Sequence, residues 1–188
     1  MAQRIERNRF RIIGGRWRGK KLDFADRAGL RPTPGRVRET LFNWLAPTLH
    51  GARCLDAFAG TGSLGLEALS RGAGSVVFVE QDRVSASSVQ AHLAAVGAES
   101  ATVVHADTSA WLATATGPFD LVFADPPFGS DLLQRLCTLL QERALLAPGG
   151  RLYAEYDRRL GFEPAGWQPV RQKAAGQVGY GLFVPREA

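Results

Sequence analysis

A glycine-rich loop contains the first residues that could do chemistry. Gly60, Gly62 and Gly65 satisfy the pattern G-x-G-x-x-G between an apolar stretch that predicts a strand and a stretch that predicts a helix. Glycines let the backbone turn sharply and approach a ligand closely, and a helix N-terminus favours an anion. No Lys-Ser or Lys-Thr pair follows, which excludes a P-loop, and a glycine turn without a ligand is the alternative. The candidate cofactor-binding residues here are Asp56, Phe58, Gly60, Thr61 and Gly62.

Two acidic residues follow the next two predicted strands. Glu80 stands 20 positions after Gly60, where a carboxylate can accept hydrogen bonds from both ribose hydroxyls of an adenosine. The alternative for Glu80 is an exposed carboxylate at a strand end. Asp107 could bind the adenine amino group, or it could cap the helix that begins near Thr108. At this point NAD and S-adenosylmethionine compete, since both contain an adenosine.

The fourth predicted strand ends in Asp125-Pro126-Pro127-Phe128, and this motif separates the two cofactors. Two successive prolines fix the backbone and remove two amide donors, so the pocket is left with acceptors beside an aromatic ring. That combination suits a planar base with an exocyclic amine, whereas a hydride-transfer site does not need it. The motif therefore favours S-adenosylmethionine, and the alternative is a rigid proline turn that opens the next helix.

The chemistry expected of these four candidate catalytic residues follows from the amine itself. The lone pair of a nucleobase amine is delocalised into the ring, so the amine is a poor nucleophile. Acceptors on its N–H bonds would aim the lone pair at a sulfonium methyl and stabilise the positive charge that develops on nitrogen. Asp125 does not need to be a strong base, because the alkylated nitrogen is itself very acidic. Phe128 would stack on the base, and the reaction requires no metal ion.

Strands and helices alternate over residues 53–156, which indicates an α/β fold with a doubly wound, mostly parallel sheet. Such sheets bind ligands outside the carboxyl ends of their strands, where the residues above are expected. The predicted strands are 53–58, 75–79, 102–104, 119–124 and 151–156, with two further candidates around Val170 and at 182–184. The predicted helices are 64–71, 82–96, 109–115 and 131–146.

A hairpin and a helix are predicted ahead of this alternating region. Residues 10–24 predict a short hairpin with a glycine-rich turn. A helix is expected to start at Thr33 as N-cap, with Pro34 at the first helical position. We divide the chain into a basic N-terminal extension, residues 1–32, and a main domain, residues 33–188.

Length and composition exclude several classes of protein. The 188 residues, 45% of them hydrophobic, suffice for one domain with a full core. No window contains the roughly 18 apolar residues of a membrane span, and the N-terminus leads into charge instead of an apolar signal core. Cys54 and Cys137 cannot form a disulfide framework, and no Cys/His cluster suggests zinc. We therefore expect a cytoplasmic monomer without a metal.

The basic charge is concentrated at one end of the chain. The first 40 residues contain 12 Lys and Arg against 4 Asp and Glu, a net charge of +8, whereas the other residues have a net charge of −3. A local basic segment beside a slightly acidic body is typical of nucleic-acid binding, and a solvated tail is the alternative. Arg38 could contact phosphate, or Arg38 and Glu39 could pair within the domain or line the cofactor entrance. The candidate RNA-binding residues are Arg16, Arg18, Lys20, Lys21 and Arg36.

Several segments resemble one known family over nearly the whole chain. Besides the glycine loop, Glu80 and the Asp-Pro-Pro-Phe motif, they are RIIGGRWRGKKL (11–22), LRPT (30–33), RVRETLFNWL (36–45) and LGLEALS (64–70). Together they resemble the RsmD-type bacterial 16S ribosomal RNA guanine-N2 methyltransferases, within the class I S-adenosylmethionine-dependent methyltransferases. The N-terminal block is the most specific part of this resemblance.

The resemblance implies a seven-stranded, Rossmann-like sheet with an added N-terminal hairpin, and S-adenosylmethionine as cofactor. It implies that Glu80 holds the ribose, that the Gly60–Gly62 loop faces the methionine end, and that residues 125–128 hold guanine. The implied substrate is 16S ribosomal RNA in an assembled or assembling 30S subunit. Gly35 stands where the family usually has Asp, which predicts a less well capped helix start.

Two other functions are compatible with the residues. Asp-Pro-Pro-aromatic motifs also serve adenine, so an N6-adenine DNA methyltransferase is one alternative, although 188 residues leave no obvious target-recognition domain. A non-catalytic RNA-binding ribosome assembly factor that retains a cofactor pocket is the other. The residues alone do not distinguish guanine from adenine, and that choice rests on the resemblance.

Overall fold

A seven-stranded sheet and a separate two-stranded hairpin form the framework of the molecule. The computed structural model describes residues 7–25 and 30–186. Residues 1–6 and 26–29 of the predicted extension and residues 187–188 of the predicted main domain lie outside the described residues. The strands are β1 (Arg7–Arg11), β2 (Lys21–Ala25), β3 (Arg53–Asp56), β4 (Ser75–Glu80), β5 (Ala101–His105), β6 (Phe119–Ala124), β7 (Leu146–Asp157), β8 (Trp167–Ala175) and β9 (Val178–Pro185). The helices are α1 (Gly35–Leu45), α2 (Ser63–Ser70), α3 (Arg83–Val96), α4 (Thr108–Leu112) and α5 (Leu132–Glu142).

The strand order of the large sheet confirms the doubly wound topology. The order is β5-β4-β3-β6-β7-β9-β8. Strands β3 to β7 run parallel, whereas β9 and β8 are added antiparallel at one edge. The chain runs outward from β3 to β5 and then returns to place β6 on the other side of β3. The carboxyl ends of β3 and β6 therefore form the switch point at which such sheets bind ligands.

Side chains alternate between the two faces of the sheet and build a core on each. Leu121 and Phe123 of β6 pack with residues of α1, α2 and α3, while Val122 and Ala124 pack with residues of α4 and α5. Because both faces are covered at the centre of the sheet, β4 and β6 are apolar along most of their length, whereas the edge strand β8 is exposed after Trp167. Across the described ranges, none of the helices has the length and apolar character needed to cross a membrane.

The third glycine of the G-x-G-x-x-G pattern has a packing role. Gly65 lies in the first turn of α2, and a Cβ built there would be only 2.3 Å from Cε1 of Phe78 on β4. A larger residue would push α2 away from the sheet. Gly60 and Gly62, in contrast, have positive φ angles of 51° and 75° and shape the turn itself.

The N-terminal hairpin is confirmed, and its loop is held on α2. Strands β1 and β2 pair antiparallel, with Phe10 opposite Leu22. In the loop, the backbone amides of Ile13 and Gly14 donate to the two carboxylate oxygens of Glu67, at 2.9 and 2.8 Å. These contacts fix the loop relative to the sheet, because Glu67 belongs to a helix that packs directly on β3 and β4.

Glu67 also holds a buried ion pair. Arg38 of α1 reaches its Oε2 at 3.2 Å and Arg71 reaches its Oε1 at 2.7 Å, and the Glu67 side chain is fully buried. Arg38 further donates to the carbonyl groups of Arg11 and Thr33, each at 3.0 Å. Arg38 therefore pairs within the domain. The prediction that Arg38 could contact phosphate is wrong, because its guanidinium is buried.

Several boundaries differ from the sequence-based expectations, and two of these differences have a clear physical cause. Helix α1 begins at Gly35 with Pro34 as N-cap and no side-chain cap hydrogen bond, so Thr33 is not the cap. The hydroxyl of Thr33 instead donates to Glu155, which lies 122 positions further along the chain. Helix α5 ends at Glu142 and not near 146, because Leu146 already pairs with Phe119 as the start of β7.

We expect Glu67→Gln to lower the free energy of unfolding by about 3–5 kcal/mol, because the variant leaves Arg38 buried without its countercharge. The measurement is denaturant unfolding at neutral pH. The control is Glu39→Gln on the exposed side of α1, which should change the free energy of unfolding by less than about 0.5 kcal/mol. Equal stability of the two variants would contradict the structural role given to Glu67.

Candidate active site

A cleft of about 1070 Å³ opens at the switch point, at the carboxyl ends of β3, β4 and β6. All four predicted catalytic residues line it, Asp125, Pro126, Pro127 and Phe128, as do six of the seven predicted cofactor-binding residues, Asp56, Phe58, Gly60, Thr61, Glu80 and Asp107. Gly62 does not line the cleft. It is the N-cap of α2, where a Cβ would be 3.1 Å from Val89, so it belongs to the turn behind the cleft wall.

Glu80 joins the end of β4 to the glycine loop. Its Oε2 accepts the backbone N–H of Gly60 at 2.7 Å, and its Oε1 accepts the backbone N–H of Asp82 at 2.7 Å. A carboxylate oxygen can accept more than one hydrogen bond, so both oxygens retain capacity for the hydroxyls of a ligand. The amides of Gly60 and Asp82 fix the orientation of the Glu80 carboxylate, so that its remaining lone pairs face the cleft.

Asp56 ends β3 at the bottom of the cleft. It is buried, and it accepts the backbone N–H of Gly65 at 3.0 Å. Burial raises the pKa of Asp56 to about 7, the Gly65 amide opposes this rise, and the charge of Glu80 adds to it. Asp56 therefore holds the glycine loop and places a titratable group at the bottom of the cleft.

The cap interpretation of Asp107 is confirmed, and the residue also lies at the cleft. Its side chain accepts the backbone N–H of Ala110 at 2.9 Å and so caps α4, and the residue also lines the cleft. Capping occupies Oδ1, which leaves the second oxygen as an acceptor at the cleft edge.

The Asp-Pro-Pro-Phe motif leaves the sheet at the end of β6. Asp125 is half-buried, and burial raises its pKa well above the ordinary value, with the charges of Glu155 and Asp56 raising it further. Phe128 is 48% exposed, which leaves a face of its ring open for stacking on a planar group. The motif thus places an acceptor in the cleft and an aromatic ring at its mouth.

Sequence reasoning missed three residues of this site. Glu155 on β7 lines the cleft, and its Oε1 accepts the hydroxyl groups of Thr33 and Tyr153, each at 2.9 Å. The rule that identified Glu80 and Asp125 would have found it, since Glu155 is a carboxylate near the carboxyl end of a parallel strand. Thr33 and Tyr153 could not be found in this way, because their role depends on a distant partner.

The predicted RNA-binding side chains lie outside the cleft, and all five are exposed: Arg16, Arg18, Lys20, Lys21 and Arg36. The Arg16 guanidinium lies 4.1 Å from the centroid of the Trp17 ring. Trp17 itself packs against the hydrophobic core, and its amide donates to the hydroxyl of Ser70 at 3.0 Å. The loop therefore presents its cations from a fixed backbone.

The charge of the cleft decides between the two adenosine cofactors. Its described lining residues include one cation, Arg31, and six carboxyl groups: Asp56, Glu80, Asp82, Asp107, Asp125 and Glu155. Burial raises the pKa of Asp56, Asp125 and Glu155, so these three carry less negative charge than exposed carboxylates would. The pyrophosphate of NAD would be repelled by this lining, whereas S-adenosylmethionine has an ammonium group, a sulfonium and one carboxylate, and therefore a net positive charge. The residues present therefore fit S-adenosylmethionine.

We expect the pH dependence of stability to differ between the wild type and Asp56→Asn. A carboxyl group whose pKa rises from about 4 to about 7 on folding stabilises the fold below pH 4, and this stabilisation is lost as the pH rises to 7. Unfolding free energies should therefore fall by about 1 kcal/mol per pH unit relative to the variant between pH 4 and 7. Parallel pH curves from denaturant unfolding would contradict this assignment.

Comparison with known proteins places the chain among methyltransferases. The family model described as Conserved hypothetical protein 95 matches residues 10–184. The ribosomal RNA small subunit methyltransferase D of Escherichia coli K12 is 48% identical over 180 residues, which cover 95% of this chain and 90% of that protein. The protein of the same name from Haemophilus influenzae is 42% identical over 178 residues, which cover 92% of each chain.

Solved structures support the same assignment. The structure of yhhF from Escherichia coli superposes with a TM-score of 0.88 and 47% identity, over 96% of this chain and 99% of that chain. The Thermus thermophilus 16S rRNA N2 G1207 methyltransferase, solved with AdoMet and guanosine, gives a TM-score of 0.73 at 26% identity, over 97% of this chain and 50% of that chain. The chain therefore belongs to the Conserved hypothetical protein 95 family of S-adenosylmethionine-dependent methyltransferases, together with the ribosomal RNA small subunit methyltransferases D.

Proposed function

We propose that the protein transfers a methyl group from S-adenosylmethionine to the exocyclic N2 amine of a guanine in 16S ribosomal RNA. The observation that supports this best is the position of Asp125 and Phe128, which share one acidic cleft with the candidate cofactor residues. The names of the relatives support ribosomal RNA of the small subunit as substrate. The guanosine in the Thermus neighbour supports guanine.

We assign the cofactor-binding roles by the chemistry of the lining residues. Glu80 accepts the ribose hydroxyls, and Asp107 accepts the adenine amine. Gly60 and Thr61 place the backbone next to the methionine end, while Asp56 holds this loop in position through Gly65. Phe58 supplies apolar contact, and Gly62 shapes the turn. When bound, S-adenosylmethionine supplies an electrophilic methyl group on a sulfonium.

The residues of the motif act on the amine. Asp125 accepts an N–H of the target amine, which orients the nitrogen lone pair and stabilises the positive charge that builds on nitrogen. Pro126 and Pro127 contribute no amide donors that could compete for these acceptors. Phe128 stacks on the base, an interaction of about 1–3 kcal/mol in nucleic-acid complexes. The nitrogen gains the methyl group that the sulfonium would lose as its S–CH3 bond breaks to leave a neutral thioether. The nitrogen then releases a proton to water, and this exchange needs no metal.

The basic extension, residues 1–32, is proposed to bind the RNA, with residues 33–188 as the methyltransferase domain. Arg16, Arg18, Lys20 and Lys21 contact phosphates from the hairpin loop, and Arg36 adds a contact from the start of α1. The substrate is a small subunit during or after assembly, and the enzyme acts on it as a monomer in the cytoplasm.

We expect Asp125→Ala to lower methyl transfer by about 10³-fold without weakening RNA binding, because it removes the acceptor that activates the amine. The assay measures tritiated methyl transfer to immature 30S particles, naked 16S RNA and duplex DNA. The control is Asp131→Ala, an exposed residue with no side-chain cap hydrogen bond at the start of α5. Unchanged activity of Asp125→Ala would overturn the mechanism, and label in DNA alone would favour an N6-adenine DNA methyltransferase.

We expect replacement of Arg16, Arg18, Lys20 and Lys21 by Gln to weaken RNA binding and flatten its salt dependence. Each lost phosphate contact should lower the slope of log K against log salt by about 0.7–0.9. Affinity for S-adenosylmethionine should stay the same, since these residues lie outside the cleft. Arg135→Gln on α5 is the control for a change of net charge, and loss of cofactor affinity in the hairpin variant would show that the hairpin is only structural.

A further inference from the structure

The fold places a second carboxylate beside Asp125. Ala124 of β6 lies opposite Ala154 of β7 in the parallel pair, so Asp125 and Glu155 are the next residues along two adjacent strands. Adjacent strands are about 4.8 Å apart, and residues at matching positions point to the same face. Both residues line the cleft, and Glu155 is 3% exposed.

The orientation of Glu155 is fixed by contacts on one of its two oxygens. The hydroxyls of Thr33 and Tyr153 both donate to Oε1. Thr33 is in turn held through its carbonyl by Arg38, which pairs with Glu67. Oε2 is therefore the atom of this carboxylate that remains to accept hydrogen bonds from a ligand in the cleft.

Burying the Glu155 carboxylate costs desolvation free energy, and its contacts within the protein offset this cost only in part. Burial raises the pKa of Glu155, and the two hydroxyl donors oppose this rise only in part. A neutral side chain could receive the same two hydroxyl groups at a lower desolvation cost. The carboxylate is thus better explained by a donor that arrives with the substrate.

Guanine offers the matching pair of donors. Its Watson–Crick edge places N1–H directly beside the N2 amine, so two adjacent acceptors can each take one donor. Adenine has an unprotonated N1 beside its amine, which would face the second carboxylate with a lone pair. Two carboxylates side by side therefore select guanine over adenine, in a way that the Asp-Pro-Pro-Phe motif alone does not.

We propose that Glu155 is a specificity-determining residue that accepts the N1–H of the target guanine while Asp125 accepts its N2 amine. This inference rests on the proposed function. Under this proposal, Glu155 of β7 selects the base, and Asp125 at the end of β6 activates its amine.

The test compares guanine with 2-aminopurine, which keeps the 2-amine but has an unprotonated N1. The modified nucleotide is first mapped by mass spectrometry, and 30S particles are then reconstituted with either base at that position. For wild type, kcat/KM should be at least about 10²-fold higher on guanine, because an unpaired buried acceptor rejects the analogue. For Glu155→Gln, kcat/KM on guanine should fall, and the preference should shrink at least tenfold or invert, since the amide can donate to N1.

Thr33→Val is the matched control for a purely positioning effect. It removes a donor to Glu155 but keeps the carboxylate, so its activity should fall by a similar factor on both bases and its preference for guanine should remain. Melting temperature and S-adenosylmethionine affinity are measured for each variant to confirm folding. An unchanged base preference in Glu155→Gln, or equal wild-type activity on both bases, would overturn the inference while leaving the proposed function intact. Wild type that modifies no guanine at all would instead overturn the proposed function.

Discussion

The buried carboxylate of Glu67 is the constraint on which the arrangement of the other elements depends. A carboxylate removed from water must collect enough donors to offset its desolvation. Glu67 collects two amides from the hairpin loop and two guanidinium groups, from Arg38 and Arg71. One side chain of α2 thereby holds the hairpin, α1 and its own helix together. The hairpin is fixed to the sheet by charge-assisted hydrogen bonds as well as by apolar packing.

The same network extends from the hairpin to the cleft. Arg38 links Glu67 to the carbonyl of Thr33, and the hydroxyl of Thr33 holds Glu155 at the cleft wall. A connected chain of buried hydrogen bonds has few alternative arrangements, because every broken link leaves a buried polar group unpaired. The loop proposed to bind RNA and the Glu155 carboxylate proposed to hold the base are therefore joined through one network of buried hydrogen bonds. This matters for an enzyme that must place one nucleotide of a large substrate.

Charge is segregated in space as well as along the chain. The exposed cations of the hairpin lie outside the cleft, and the cleft lining is strongly acidic. A polyanion is attracted to the first surface and repelled by the second, whereas a cationic cofactor is attracted to the second. The separation allows the two ligands of a methyltransferase to occupy neighbouring sites without competing.

The sequence by itself determined the features that are local or follow from a general rule of parallel sheets. The spacing of the three glycines and the Asp125–Phe128 motif predicted a cleft at the carboxyl edge. The structure places Gly60 and the motif there, whereas Gly62 and Gly65 lie behind the cleft, against Val89 and Phe78. Only the tertiary structure decided the roles of Thr33 and Arg38 and the hydrogen-bond partners of Glu155. Thr33 satisfies the local rule for an N-cap, yet its hydroxyl is used 122 positions away, because a buried carboxylate outweighs a helix cap as a partner. Such partners are set by which strands lie side by side, and no spacing within the sequence records that.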